Sequence, residues 1–285
     1  MNEQTKRLSY PYMVWISIVI VIPILLIFLY SIIGDTGEPV AFRLTLQNYR
    51  AFFSPIYLNV LWHSFVVAAI STIACLILGY PVAWIVSKLA AHKQSNALMF
   101  FILPMWINML LRTYAWITIL SRQGILNKLL ARLGMGPFQM MYTDFAVILG
   151  MVYNFLPFMI LPIYTSVLKV DPSLVDAAKD LGANESRVFL KVILPLTMLG
   201  VVTGITMVFL PAMSTFVIPQ LLGGGQYIMI GNLIERQFLL TGNWHFGSAI
   251  SMVLMVFILI SVAVMKKFES NGPQEKSAGK GAVPW

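Results

Sequence analysis

Charge is scarce in this chain, and over four long stretches it is missing. No Lys, Arg, Asp or Glu occurs from Leu8 to Gly34, Ala51 to Ser87, Phe145 to Leu168, or Val192 to Ile234. Charged residues make up 11% of the 285 positions, against roughly 25% in soluble domains. Buried helices of soluble proteins show apolar runs nearer ~10–14 residues, whereas a bilayer-crossing helix needs ~20. Several runs here exceed that length, and the mean hydropathy is +0.82. A large soluble protein is therefore set aside. Cysteine is nearly absent too. Cys75 stands alone in an apolar run, which excludes a disulfide framework or CxxC metal site and reads as a small buried hydrophobe. His63, His92 and His245 lie far apart, so no metal cluster is expected. The chain has no GxxxxGK[ST] loop, so it carries no P-loop of its own for ATP. The net charge of +8 sits in short loops between apolar segments. That placement suits anionic lipid rather than nucleic acid.

What is present is a series of six apolar segments. They run from about Met13 to Ile33, Val60 to Ser87, Leu98 to Leu120, Thr143 to Leu168, Leu196 to Pro219 and Phe246 to Met265. Backbone groups must pair internally in lipid, so each is expected to be a helix. A β-barrel would need short alternating strands instead. The fold class is thus an all-α polytopic membrane bundle. Residues 1–12 form an N-terminal segment, 13–265 a transmembrane domain, and 266–285 a polar tail expected to be disordered. Lys6 and Arg7 precede the first run as in a signal peptide. No small-x-small cleavage site follows, so it reads as an uncleaved span. Ile125 to Leu133 spaces its apolar residues like a short surface helix.

Six spans put both ends on one side, and the positive-inside rule chooses which. With both ends inside, the inner face holds Lys6, Arg7, Lys88, Lys93, Lys169, Lys179, Arg187, Lys191 and four tail lysines. The outer face holds Arg43, Arg50, Arg122, Lys128, Arg132 and Arg236. Twelve against six favours cytoplasmic termini.

The segment 169–195 differs from all other loops. It reads KVDPSLVDAAKDLGANESRVFLKVILP, with four basic and four acidic residues. Asp171 before Pro172 is a helix start, and Gly182 a helix stop. Val175, Ala178 and Leu181 fall on one face, and a second short helix over Glu185–Leu194 presents Val188, Phe189 and Val192. These features predict helix, turn, helix. Two readings stand: an amphipathic connector on the membrane surface, or an element that docks into a cytoplasmic partner.

Here the sequence resembles a known family. Asp176-Ala177-Ala178, Gly182 after three residues, then Leu194-Pro195 look like the EAA loop of ABC-type importer permeases. The family pattern begins with Glu where this chain has Asp176. More narrowly, Leu78-Gly79-Tyr80-Pro81, Arg112-Thr113-Tyr114, Leu156-Pro157-Phe158-Met159, Asp180-Leu181-Gly182-Ala183 and Phe209-Leu210-Pro211-Ala212 resemble the first of two permeases in spermidine/putrescine importers. The resemblance implies a type I ABC importer permease fold and a bacterial inner-membrane location. It also implies a second, unlike permease, a homodimeric cytoplasmic ATPase using ATP and Mg, and an external binding protein. No cofactor is expected on this chain. Under that reading Asp176, Ala177, Ala178, Asp180, Gly182, Phe189, Leu194 and Pro195 couple to the ATPase. Gly182 forms the turn and Phe189 is the apolar anchor.

Translocation-path candidates are polar or aromatic residues beside helix interruptions. Trp106, Asn108, Arg112 and Tyr114 follow Pro104; Tyr153 and Asn154 precede Pro157; Ser214 and Thr215 follow Pro211. Ordinary helix packing is the competing reading for each. Arg112, near the outer end of the third span, could snorkel or pair with Asp144 or Glu235; a structural ion pair or gate element is favoured over substrate contact. Asp144, at the edge of the fourth span, is the one acid within the six spans, so this chain offers a polyamine little carboxylate. A thiamine-like cation, a sulfonate or an iron chelate remains open as substrate. An ATPase-independent secondary transporter is the rival class; its two related halves are not evident here.

Overall fold

The computed structural model describes residues 3–34 and 43–270. Helix α1 is Glu3–Ile32, followed by a two-residue strand β1, Ile33–Gly34, paired antiparallel with β2, Arg43–Leu44. Then come α2 (Gln47–Phe52), α3 (Pro55–Ser87), α4 (Ala91–Trp106), α5 (Met109–Leu120), α6 (Ile125–Arg132) and α7 (Asp144–Val167). After these follow α8 (Pro172–Asp180), α9 (Glu185–Val188), a π-helical turn (Phe189–Ile193) and α10 (Leu194–Ser214). The chain ends with α11 (Val217–Leu222), α12 (Ile230–Glu235), a second π turn (Arg236–Leu240) and α13 (Trp244–Ser270).

Five described helical segments are long and apolar enough to cross a bilayer. A sixth span exists if α4 and the α5–α6 segment count together, but these meet at 93°. The expected straight third span is therefore broken at Ile107–Asn108. Asn108 is what stabilises the break. Its side-chain Oδ1 accepts from the Leu110 amide at 2.8 Å, capping a new helix start. The fifth span likewise departs from expectation. It begins at Glu185 and ends at Ser214, and Thr215, in extended conformation, turns the chain into the separate helix α11. Helix α13 runs five residues past the expected boundary at Met265, to Ser270; the rest of the proposed tail, 271–285, lies outside the described residues.

The described residues form two compact units. In one, made of residues up to Trp62 with Ile230–Phe257, Asn48 Nδ2 donates to the carbonyls of Ser31 (3.2 Å) and Ile33 (3.1 Å). The Tyr49 hydroxyl and Ser31 Oγ share a 2.8 Å bond. These polar ties hold α2 against the end of α1.

The other unit, His63–Met229 with residues from Ile258 onward, is built around α7. In α7, 67% of the span is buried, the largest share of any span. Its main neighbour is α10, and glycine allows that contact. A Cβ at Gly200 would overlap the Ser166 hydroxyl and the Pro162 carbonyl, and one at Gly204 would lie 2.8 Å from Met159 Sδ. The GxxxG pair thus brings two backbones together where no hydrophobic force favours association in lipid. Gly150 similarly opens α7 to Leu222 and Ile218 of α11. Gly200→Ala is expected to cost ~1–3 kcal/mol by overpacking. Gly136→Ala, which meets nothing within 4 Å, leaves the melting temperature of the detergent-solubilised protein unchanged.

Candidate functional site

The segment between α7 and α10 is ordered by three local devices. Asp171 accepts the Ser173 amide at 2.9 Å, with Pro172 at the first helical position. That hydrogen bond lowers the Asp171 carboxyl below its ordinary value. At the other end of α8, the Gly182 amide bonds Lys179 O at 2.8 Å and the Ala183 amide bonds Ala178 O at 3.1 Å. This is a Schellman closure, and Gly182 adopts φ +80°. Nothing lies within 4 Å of a Cβ there, so glycine is required for its backbone conformation and not for space. Asn184 then caps α9 by accepting the Arg187 amide at 2.9 Å.

The second short helix is not free-standing. It is the first part of a continuous helix from Glu185 to Ser214. Pro195 has no N–H and its ring crowds the carbonyl four residues earlier. The chain widens instead of stopping: the Leu194 amide reaches back five residues to Phe189 O. Phe189 is also placed differently from the expected anchor. Its ring is half-buried and meets Tyr80 edge-on at 5.4 Å and Trp84 at 6.0 Å. Tyr80 shares a 2.8 Å hydroxyl bond with Thr197. Thr197 Oγ1 donates to Ile193 O at 2.9 Å, so Tyr80 is the donor between them. Val188 is buried, Leu194 and Pro195 are half-buried, and Val175 and Ala178 face inward only partly. Leu181 does not continue their stripe: it lies past the helix end, 89% exposed. The surface that remains open comprises Asp176, Ala177, Asp180, Leu174 and Leu181.

The path candidates sit on elements that each pack on α7 or belong to it: Trp106 ends α4, Asn108 caps α5, which carries Arg112 and Tyr114, Tyr153 and Asn154 lie on α7, and Ser214 ends α10 just before Thr215. Tyr153 meets Trp116 of α5 edge-on at 5.4 Å. Asn154 is buried; its Nδ2 donates to Gly150 O at 2.8 Å, and its Oδ1 has no partner among the described residues. Trp106 and Tyr114 are exposed. Ser214 Oγ donates back to Leu210 O at 3.1 Å, and Thr215 closes α10. Arg112 is half-buried, and its Nε has no hydrogen-bond partner among the described residues. Asp144 does not serve it: that carboxylate pairs with His63 Nε2 at 3.2 Å. Glu235 Oε2 is likewise enclosed without a hydrogen-bond partner among the described residues.

Comparison with known proteins fixes what these elements belong to. Residues 2–270 match the family described as binding-protein-dependent transport system inner membrane component. The chain belongs to that family. This permease is 42% identical over 253 residues to the spermidine/putrescine transport system permease protein PotB of Haemophilus influenzae, covering 88% of each chain. It is 42% identical over 254 residues to PotB of Escherichia coli, covering 88% of this chain and 92% of that one. The inner membrane ABC transporter permease protein YdcU of E. coli is 31% identical over 79% of this chain and 76% of its own. Among solved structures, a chain of a bacterial ABC transporter that imports alginate superposes with a TM-score of 0.76 at 14% identity, covering 93% of this chain and 95% of that one. That likeness concerns the fold. The permease is a multi-pass inner-membrane subunit of an ABC importer, whose assembly includes an ATPase, a second permease and a binding protein; ATP hydrolysis resides in the ATPase.

Sequence reasoning missed the arrangement around Tyr142. This residue takes φ +61°, its amide donates to Leu222 O at 2.9 Å, and its ring covers Gly224, where any Cβ would overlap it. Asn127 was also passed over. Its side chain bonds the Phe138 amide and carbonyl, both at 2.9 Å, and Ser121 O at 3.1 Å, closing the loop that carries α6. A lone Asn inside an apolar helical stripe was the available signal.

Gly182→Ala is expected to lose about 1 kcal/mol of local stability from the left-handed backbone, with Gly182→Asn milder. Hydrogen exchange of the Lys179–Ala183 amides reads this. Because the Asp171 pKa is lowered on folding, its cap is fully effective above the ordinary carboxylate value and is lost as pH falls through the lowered one. Exchange at Ser173 should therefore accelerate only in acid, and Asp171→Asn should abolish that dependence.

Proposed function

We propose that this permease carries spermidine and putrescine, forming half of the translocation pore with an unlike partner permease. The observation that carries the reading is the 42% identity to spermidine/putrescine permeases along 88% of the chain. Both termini are cytoplasmic, as the twelve-to-six distribution of basic residues favours. The 169–195 segment then faces the cytoplasm and docks into a homodimeric ATPase.

The exposed face of α8 supports this role. Asp176, Ala177, Asp180 and Leu181 are open to a partner, and the Gly182 turn fixes their direction. Phe189 acts inside the bundle instead. Its contacts with Tyr80 and Trp84 link the base of the fifth span to the second, so a push on α8 reaches both. Leu194 and Pro195 belong to the same lever, at the π turn. The path runs along α5 and α7 and past the ends of α4 and α10, where Trp106, Asn108, Arg112, Tyr114, Tyr153, Asn154, Ser214 and Thr215 reside. Arg112, whose Nε has no hydrogen-bond partner among the described residues, is a gate element in this scheme.

Uptake by the complete complex in proteoliposomes tests the reading. Labelled spermidine should be competed by putrescine and not by thiamine, a sulfonate or an iron chelate, and only the polyamines should stimulate ATP hydrolysis. Stimulation by one of the other classes sinks the substrate assignment. Gly182→Pro should abolish stimulated hydrolysis and weaken ATPase retention on purification; an unaltered variant would refute the docking role of α8.

A further inference from the structure

We infer that Asp144, with the aromatic faces of Tyr227 and Tyr142, is a receiving site for an alkylammonium group of the substrate. This rests on the polyamine reading above and names the residues through which this chain meets the cation. A multiply charged amine crossing a low-dielectric path needs carboxylates or aromatic faces. Along the third to fifth spans, from Leu98 to Pro219, the one carboxylate outside the α7–α10 segment is Asp144.

The structure gives that carboxylate a built surround. Asp144 opens α7, and its side chain is 46% exposed, so an incoming group can reach it. His63 of α3 lies 3.2 Å away, itself 32% exposed. The Tyr227 ring stacks on the His63 ring, with centroids 6.1 Å apart and planes inclined by 23°. Tyr142 stands two residues before Asp144, held by its amide bond to Leu222 and by the fit of its ring over Gly224. The loop with three consecutive glycines, 223–225, thus holds the ring of Tyr142, which at φ +61° stands two positions before the acid in the chain. An ammonium donates a charge-assisted hydrogen bond to such a carboxylate while resting on neighbouring π faces.

The position suits a receiving site. Helix α7 has 24 residues, so it is about 36 Å long at 1.5 Å per residue. Asp144 therefore lies at the opposite end of α7 from the segment at 169–195. That is the side from which a binding protein delivers its cargo. His63 takes the part of a replaceable partner: it occupies the carboxylate when no ammonium is present.

A purely structural His–Asp bond makes the reverse prediction, and the two are separable. In the full complex with its binding protein, Asp144→Asn keeps a hydrogen-bonding side chain but removes the charge. It should raise KM for spermidine and putrescine about tenfold or more, while His63→Leu stays within about twofold. Asp144→Glu should recover most of the loss. If His63→Leu is as damaging as Asp144→Asn or worse, the pair is structural and the proposal is overturned. Should Asp144→Asn fail to assemble, Tyr227→Leu carries the test: it should raise KM severalfold, and an unchanged KM overturns the proposal. Wild-type complex that takes up neither amine defeats the polyamine assignment and this site with it. Wild-type uptake with an unaltered Asp144→Asn KM defeats the site alone.

Discussion

In hydrocarbon a backbone amide or carbonyl has no water to bond, so every interruption of a helix must be closed by protein. That constraint organises this chain. It makes each apolar run a helix, and it demands a named partner wherever a helix stops. Asn108 supplies one at the α4–α5 break. Thr143 supplies another at the start of α7, accepting the Ala146 amide at 3.3 Å. At Pro195 the ladder is kept by widening to a π turn rather than by ending. The breaks are few, and path candidates flank the ones at 107–108 and 215–216, because irregular backbone is tolerated only where protein or a cavity receives it.

Packing follows from the same solvent. With no hydrophobic gain from leaving lipid, helices associate through close contact and polar bonds. Glycines at 150, 200 and 204 let α10 and α11 lie against the α7 surface. Tyr80 and Thr197 add a buried hydroxyl bond between the second and fifth spans, directly above Phe189. A displacement of α8 therefore meets a stiff contact, not a loose hinge. The part of the 169–195 segment that packs on the second span is buried or half-buried, and the open part holds Leu174, Asp176, Ala177, Asp180 and Leu181.

The same logic separates the two faces of the subunit. On one side α8, closed by the Gly182 turn, leaves Asp176, Ala177 and Asp180 exposed. At the other end of α7, Asp144 pairs with His63, and the Tyr227 ring stacks on that imidazole. One buried helix, α7, with its glycine-mediated contact with α10, connects these ends.

The sequence by itself determined the class of fold, because runs without charge are long and lipid admits only one way to satisfy their backbone. It also determined the helix-turn-helix at 169–195, since Asp171-Pro172 and Gly182 act through bonds within a few residues. Tertiary structure alone decided the rest. Whether Phe189 points outward or inward depends on Tyr80 and Trp84, more than a hundred positions away. The partner of Asp144 proved to be His63 and not Arg112, because α3 places its ring there. Local chemistry carries no information about such contacts; they are set by which helices pack side by side, and glycine at the crossing points sets that.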